Sequence, residues 1–225
     1  MFAGHIGAGL LIGRAERRIN VGAFVTAALL LDAVLWVFVL AGWERVTIPP
    51  DFVRTHQAVF EFPYSHGLLS SVGWSVLAGA VLACVFAPRT GSPWRVGALI
   101  GAAVFSHWVL DALVHVPELP LAGPASTKVG LGLWRDLPVG LGIEAAVLVL
   151  GLWLFIPRAP LPRGRKVTLA VLCLVLLAFT IAGMTVAPPP PSATAMAGSS
   201  LVTLLVVCAV IGWIGRTGAA HRRAI

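Results

Sequence analysis

Six long apolar runs alternate with short polar connections along the chain, and a shorter apolar run, residues 2–13, precedes them. About 20 apolar residues form an α-helix long enough to cross a hydrocarbon core about 30 Å thick. In the shorter run the basic cluster follows the apolar part, unlike in a signal peptide, so we expect this run to stay in the mature protein. The pattern predicts an all-α, polytopic transmembrane helix bundle with about six spans plus a short N-terminal apolar helix. The predicted spans are residues 21–41, 67–87, 96–116, 139–157, 166–186 and 198–215.

The composition agrees with a membrane protein. Hydrophobic residues make up 58% of the 225 residues, charged residues only 11%, and the mean hydropathy is +0.93. Soluble domains are about 45–50% apolar. Cys84, Cys173 and Cys208 lie in three different apolar spans and form no Cys-x-x-Cys motif. The sequence therefore predicts neither a disulfide framework nor a thiolate metal site.

The basic residues are distributed unequally between alternate connections, with 12 on one side and 4 on the other. The positive-inside rule places the richer set, and with it both ends of the chain, on the cytoplasmic side of the membrane. Basic residues in the cytoplasmic connections, which face anionic lipid headgroups, account for the net charge of +7. We therefore expect membrane lipids as partners, and no nucleic acid.

Ionisable side chains interrupt or flank several of the apolar runs. Such a group costs a membrane helix several kcal/mol, so by default it marks a functional site. At 1.5 Å of rise per residue, four of these groups lie about 13 to 21 Å from the nearest predicted cytoplasmic basic cluster. We expect His56 and His221 to be solvated surface groups instead. The candidate metal ligands are His5, Asp32, His66, His107 and Asp111.

The spacing of His107, Asp111 and His115 favours a metal centre. His107 and Asp111 are four residues apart, so their side chains share one helix face and can reach one cation. Around the helix axis, the side chain of His115 is rotated by about 80° from that of His107. We therefore expect His115 to be a rim residue or a ligand of a second ion. Two aspartates, Asp32 and Asp111, neutralise one divalent cation. A mixed histidine and carboxylate set fits zinc, with manganese or iron as alternatives, and we expect one or two ions.

Glu144 and His115 are the candidate catalytic residues. Glu144 lies within an apolar span, about 21 Å from the basic residue that follows that span. Its predicted role is that of a general base or of a carboxylate that supports the metal ligands. The sequence leaves open which of these two roles applies.

The polar residues concentrate in the first part of the chain. We predict a membrane-embedded metal-site domain at residues 1–157, followed at residues 158–225 by an accessory transmembrane hairpin and a cytoplasmic tail. The outer connections 42–66 and 117–138 are long enough to cover and gate an intramembrane site. No inverted repeat relates the two halves, which counts against a secondary transporter.

Three segments carry a resemblance to a known family. Ala-Gly-His at 3–5, Tyr-Ser-His-Gly-Leu-Leu at 64–69 and the segment 106–115, with its His-x3-Asp-x3-His spacing, resemble a bacterial family of membrane-bound, metal-dependent hydrolases. The likeness covers about residues 1–157. It implies a hydrolase in the bacterial cytoplasmic membrane.

The order of the candidate ligands is also similar to that of the zinc-dependent phospholipase C and S1/P1 nuclease group. This resemblance implies that four residues hold one zinc and that His5 shares Asp111 with a second ion. The four residues are Asp32, His66, His107 and Asp111.

The chain departs from that group at two places. Gly140 stands where the group has a histidine, and Met1 stands where it has a tryptophan that contributes backbone ligands. One or two ions are therefore expected instead of three.

The predicted function is that of an integral membrane, metal-dependent hydrolase. A zinc-activated water would attack an ester or phosphoester, lipid or lipid-linked, in a cavity open to the outer side. Two alternatives remain at this point. One is a metal or proton transport pathway, and the other is a metal-free membrane scaffold protein.

Overall fold

The computed structural model describes residues 1–216. In this part of the chain, five helices are long and apolar enough to cross a membrane, and a bent pair makes a sixth span. This confirms the predicted all-α polytopic bundle. In chain order the helices are α1 (Phe2–Gly13), α2 (Val21–Ala28), α3 (Leu30–Ala41), α4 (Phe52–Thr55), α5 (Leu68–Thr90), α6 (Pro93–Val114), α7 (Leu137–Phe155), α8 (Arg163–Thr185) and α9 (Ala193–Ile214).

The outer faces of the long helices carry large apolar side chains that no other described residue covers. Val76 on α5 is 66% exposed, and Val175 on α8 and Trp213 on α9 are each 57% exposed. Contiguous apolar surface of this kind is typical of a face that contacts lipid. The chain is therefore a multi-pass membrane protein.

The first predicted span, residues 21–41, is broken. Helices α2 and α3 meet at Leu29 with a bend of 49°. The last carbonyls of a helix have no partner within that helix. The carbonyl of Ala28 accepts a hydrogen bond from the ring of His107. The break therefore supplies an acceptor to a predicted site residue.

Helices α1 and α7 pack backbone to backbone. A Cβ atom built on Gly7 would lie 2.6 Å from the Cα of Leu148, and one built on Gly151 would collide with the backbone of Gly7. Small residues permit this close approach between membrane helices. The contact brings His5 of α1 and Glu144 of α7 to the same level of the bundle.

The connections 42–66 and 117–138 form a folded cap at one end of the bundle. In the first, the strands β1 (Arg45–Thr47) and β2 (Val59–Glu61) pair antiparallel, and in the second β3 (Leu119–Pro120) pairs antiparallel with β4 (Lys128–Val129). The Gln57 amide joins the two connections by donating to the carbonyl of Trp134. The cap packs on α3 and α9 through buried apolar side chains: Leu35, Trp36, Val46, Phe62, Leu119 and Ala197.

The opposite end of the bundle is basic and is fastened by Glu16. The buried Glu16 carboxylate accepts from Arg18 at 2.8 Å and from Arg95 at 3.1 Å. Hydrogen bonding to Arg18 lowers the pKa of Glu16 below its usual value of 4.5. Arg18 also donates to the carbonyl of Thr90. These contacts join the connection after α1 to the residues around the connection between α5 and α6. We call this end of the bundle the basic end.

Helices α8 and α9 pack on different partners. Helix α8 contacts α7 and α1, whereas α9 contacts α2 and α3. Both nevertheless contribute to one apolar core with α1 and α7, through Leu169 and Cys173 of α8 and through Leu204 and Ile211 of α9. The predicted boundary at residue 157 stays a prediction.

Candidate metal centre

Four predicted ligands converge between α3, α5 and α6. His107 and Asp111 lie one turn apart on α6, His66 lies in the turn before α5, and Asp32 lies in the first turn of α3. His66, His107 and Asp111 are buried, and the side chain of Asp32 is 20% exposed. The structure therefore brings together side chains that are far apart in sequence.

Three ligand atoms lie at mutual distances close to the edges of a tetrahedral metal site, and a fourth lies near two of them. His66 Nε2 lies 3.1 Å from His107 Nε2 and 3.5 Å from Asp111 Oδ2, which is itself 3.2 Å from His107 Nε2. Asp32 Oδ1 lies 3.7 Å from each of the two histidine nitrogens. Ligands about 2.0–2.1 Å from a tetrahedral zinc are about 3.3 to 3.4 Å apart. Buried His and Asp side chains can therefore hold a metal ion here.

The hydrogen bonds at Nδ1 define the protonation of the two imidazoles. The Nδ1–H of His107 donates to the Ala28 carbonyl at 2.7 Å. Ser65 Oγ donates to Glu44 Oε2 at 2.6 Å and accepts from His66 Nδ1 at 2.8 Å. A neutral imidazole with its proton on Nδ1 has a lone pair on Nε2. In the neutral form, both rings therefore direct an Nε2 lone pair at the centre of the site.

His5 forms a second group with the same site. Its ring stacks on that of His107, with centroids 3.6 Å apart and planes 10° apart. His5, Asp32 and His107 form a second set of potential metal ligands. His5 Nε2 lies 3.2 Å from Asp111 Oδ1, and the Met1 amine lies 3.3 Å from the same oxygen. Asp111 therefore presents Oδ2 to one group and Oδ1 to the other.

The spacing of His115 predicted that it lies within a helix, but the structure places it just beyond the end of that helix. The span predicted at 96–116 ends at Val114, and His115 has an extended backbone with φ −66° and ψ 147°. Its Nε2 lies 3.8 Å from Asp111 Oδ1, while its Nδ1 bonds Glu118 Oε1 at 2.6 Å. The ring therefore faces Asp111 in a way that the helical rotation of about 80° did not predict.

Glu144 contacts the start of α1. Its Oε2 accepts from the backbone amides of Ala3 at 3.0 Å and Gly4 at 3.2 Å. A carboxylate at a helix N-terminus satisfies amides that have no partner within the helix. Glu144 therefore positions α1, and with it His5. Its role as a general base stays a prediction.

Gly140 makes room for an aromatic side chain. A Cβ atom at Gly140 would collide with the ring of Trp134. That ring lies 4.5 Å from the His115 ring, centroid to centroid. A histidine at position 140 would displace Trp134, so the departure from the nuclease pattern has a steric reason.

One cavity of about 490 Å³ contains the site. Asp32, His66, Asp111, His115 and Glu144 line one part of it. It also contains two residues to which the sequence pattern assigned no function.

Those two residues are His56 and Trp134. Within the described part of the chain, the His56 Nδ1 and the Trp134 indole nitrogen are buried without a hydrogen-bond partner. His56 was expected to be a solvated surface group, yet it lines the cavity. His221 lies outside the described residues.

Sequence reasoning also missed the carboxylates behind the histidines. Glu118 follows His115 by three residues, a spacing that a search for partners of His115 could have found. Glu44 precedes its partner Ser65 by a whole folded connection, and no local pattern points to it. Both carboxylates fix an imidazole whose other nitrogen faces the site.

Comparisons with family models, with curated proteins and with solved structures found no match.

Proposed function

We propose that this protein is a membrane-embedded, metal-dependent hydrolase of esters or phosphoesters. One observation carries the proposal. The two imidazoles of His66 and His107 present Nε2 lone pairs 3.1 Å apart, facing carboxylate oxygens. A shared proton would bridge only one pair of these atoms. A divalent cation would bind both nitrogens and the Asp111 oxygen that faces them at once.

Zinc is the proposed metal, bound as one or two ions. The site offers histidine nitrogens and carboxylate oxygens, and the charge of two aspartates balances one divalent cation. The position of His5 against Asp111 Oδ1 supports the second ion. Such a cation polarises an ester or phosphoester and lowers the pKa of water from 15.7 to about 7.

The residues of the chain supply position and charge around the reacting bond. Asp32 is the ligand most open to the cavity. The indole N–H of Trp134 has no partner among the described residues and is a donor for a substrate oxygen. Glu118 holds His115 so that its Nε2 faces the site and can accept a proton.

The location follows from the distribution of basic residues. We propose the bacterial cytoplasmic membrane, with the basic end inside and the folded cap outside. Membership of the membrane-bound hydrolase family remains part of the proposal, supported by the His-x3-Asp pair at the centre of the site.

A transport pathway has less support. Between the site and the basic end, α1 and α7 bury Ile6, Leu10, Leu148, Leu152 and Phe155 in one apolar core. An ion crossing this region would meet no charged side chain of that core. The geometry therefore favours a site that is reached from one side.

The test combines metal analysis with an assay. Purified protein should contain zinc, and it should hydrolyse bis(p-nitrophenyl) phosphate with a rate that a chelator abolishes and added zinc restores. His107→Ala and Asp32→Asn should lose both metal and activity, while the exposed Asp51→Asn should lose neither. Activity that is indifferent to the chelator and to His107→Ala would disprove the mechanism.

A further inference from the structure

The cavity that contains the candidate metal centre continues between α8 and α9. Its far wall consists of residues in the halves of these two helices nearer the folded cap. Most of this wall is apolar. It includes Phe179, Gly183 and Met184 of α8 and Met196 and Leu204 of α9, together with hydroxyl side chains of both helices.

The two helices are joined at one end and separated at the other. Towards the basic end, Leu169 and Cys173 of α8 and Val207 and Ile211 of α9 share one apolar core. Towards the cap, the cavity lies between the helices. Both helices are long and apolar enough to cross a membrane, so we expect hydrocarbon around much of their length.

Two of the four hydroxyl groups on the wall are satisfied within their own helices. Thr180 Oγ1 donates to the carbonyl of Leu176, and Ser199 Oγ donates to the carbonyl of Ala195. A hydroxyl that bonds the preceding turn of its own helix needs no outside partner. The wall therefore accepts a hydrocarbon chain without leaving these groups unsatisfied.

The two ends of the cavity have different chemistry. The metal-site end presents aspartates and histidines, and the α8–α9 end presents methionine, leucine and phenylalanine side chains. A water-soluble ester has no group that matches the second end. An amphiphile matches both, because its ester groups and its hydrocarbon chain are joined in one molecule.

We propose that the substrate is a membrane phospholipid whose acyl chain lies between α8 and α9 while its ester or phosphoester lies at the His and Asp centre. This inference rests on the proposed hydrolase function. It gives the hairpin, predicted as an accessory, a role in substrate binding.

The reaction needs no further reagent. The oxygen of water forms a bond to the phosphorus or acyl carbon, and the bond from that atom to the ester oxygen breaks. One proton of the water passes to the departing oxygen, which leaves as an alcohol.

Photocrosslinking tests the binding directly. Phosphatidylglycerol with a diazirine in its acyl chain is incorporated into vesicles that contain the purified protein. The vesicles are irradiated, and the labelled peptides are identified. Labels should concentrate on residues 179–187 and 196–204. Labels confined to lipid-facing surfaces such as α5 would overturn the inference.

A substitution at Gly183 can fill the part of the cavity that lies between α8 and α9. Among residues 1–216, no atom lies within 4 Å of a Cβ atom built on Gly183, so Gly183→Leu fits its own helix and places a side chain in the cavity. Gly142 on α7 is matched, since it is also exposed and open at Cβ, but it does not line the cavity. Thr203→Phe fills the same space from α9 if Gly183→Leu folds poorly.

The activity measurement compares two substrates. Gly183→Leu should lower the ratio of phosphatidylglycerol hydrolysis to bis(p-nitrophenyl) phosphate hydrolysis at least tenfold, and Gly142→Leu should leave this ratio unchanged. Equal ratios in both variants would overturn the inference.

The two proposals can fail separately. In one outcome the wall is labelled, Gly183→Leu suppresses this labelling, and neither substrate is hydrolysed. This outcome would refute the hydrolase and support the lipid site. Hydrolysis of the soluble substrate alone, without labelling of the wall, would support the hydrolase and refute the lipid site.

Discussion

Ser65→Ala tests whether the hydrogen bonds behind the ligands prepare the site for a metal. In the structure Ser65 relays the charge of Glu44 to the Nδ1–H of His66, through contacts of 2.6 Å and 2.8 Å. Alanine removes the acceptor of that proton inside a buried site. The imidazole can then place its proton on Nε2, where it blocks metal binding.

The expected loss of zinc affinity follows from what hydrogen-bond partners of metal ligands contribute. Removing one lowers metal affinity about 10- to 100-fold, which corresponds to about 1.4 to 2.8 kcal/mol. We expect a loss in this range and not a complete one, because His107, Asp111 and Asp32 keep their positions. The measurement is the dissociation constant for zinc, obtained in detergent by competition with a chromophoric chelator.

Ser70→Ala is the matched control. The Ser70 hydroxyl donates to the carbonyls of Pro63 and Gly67 in the same turn and makes no bond to His66. Its loss should leave the zinc affinity unchanged. If Ser65→Ala binds zinc as tightly as the unaltered protein, with an equal melting temperature, the tautomer argument is refuted.

Three further predictions concern the site, the helix packing and the basic end. Asp111→Asn should lower zinc affinity at least about tenfold, seen by metal analysis after dialysis, because it removes a charged ligand; retained zinc would contradict the assignment. Gly7→Val should destabilise the bundle by about 1–3 kcal/mol, seen as a lower melting temperature, because its side chain meets Leu148; an unchanged melting temperature would contradict the packing. Glu16→Gln should lower the melting temperature at pH 7. Because the Arg18 contacts lower the pKa of Glu16, this stabilisation is present above the unfolded value of 4.5 and is lost as the pH falls through the lower folded value. The difference from the unaltered protein should therefore vanish at acidic pH.

The sequence determined the class of the protein and named the side chains that converge at its candidate site. Hydropathy is a sum over neighbouring residues, so the apolar runs predict their own spans without knowledge of the fold. His107 and Asp111 share a face because the helix repeat is fixed by the backbone. The cost of ionisable groups in lipid identified Asp32 and His66 as partners worth testing.

The tertiary structure decided how those residues are held. No local pattern predicts the bend at Leu29 or the extended backbone at His115, whose carbonyl accepts a hydrogen bond from the amide of Gly132 in the cap. Glu44 reaches His66 only because the connection that contains it folds back through Ser65. The wall of α8 and α9 exists because the two helices pack on different partners. Periodicity describes one helix at a time, whereas a metal centre depends on distances between several, and these are set only when the bundle packs.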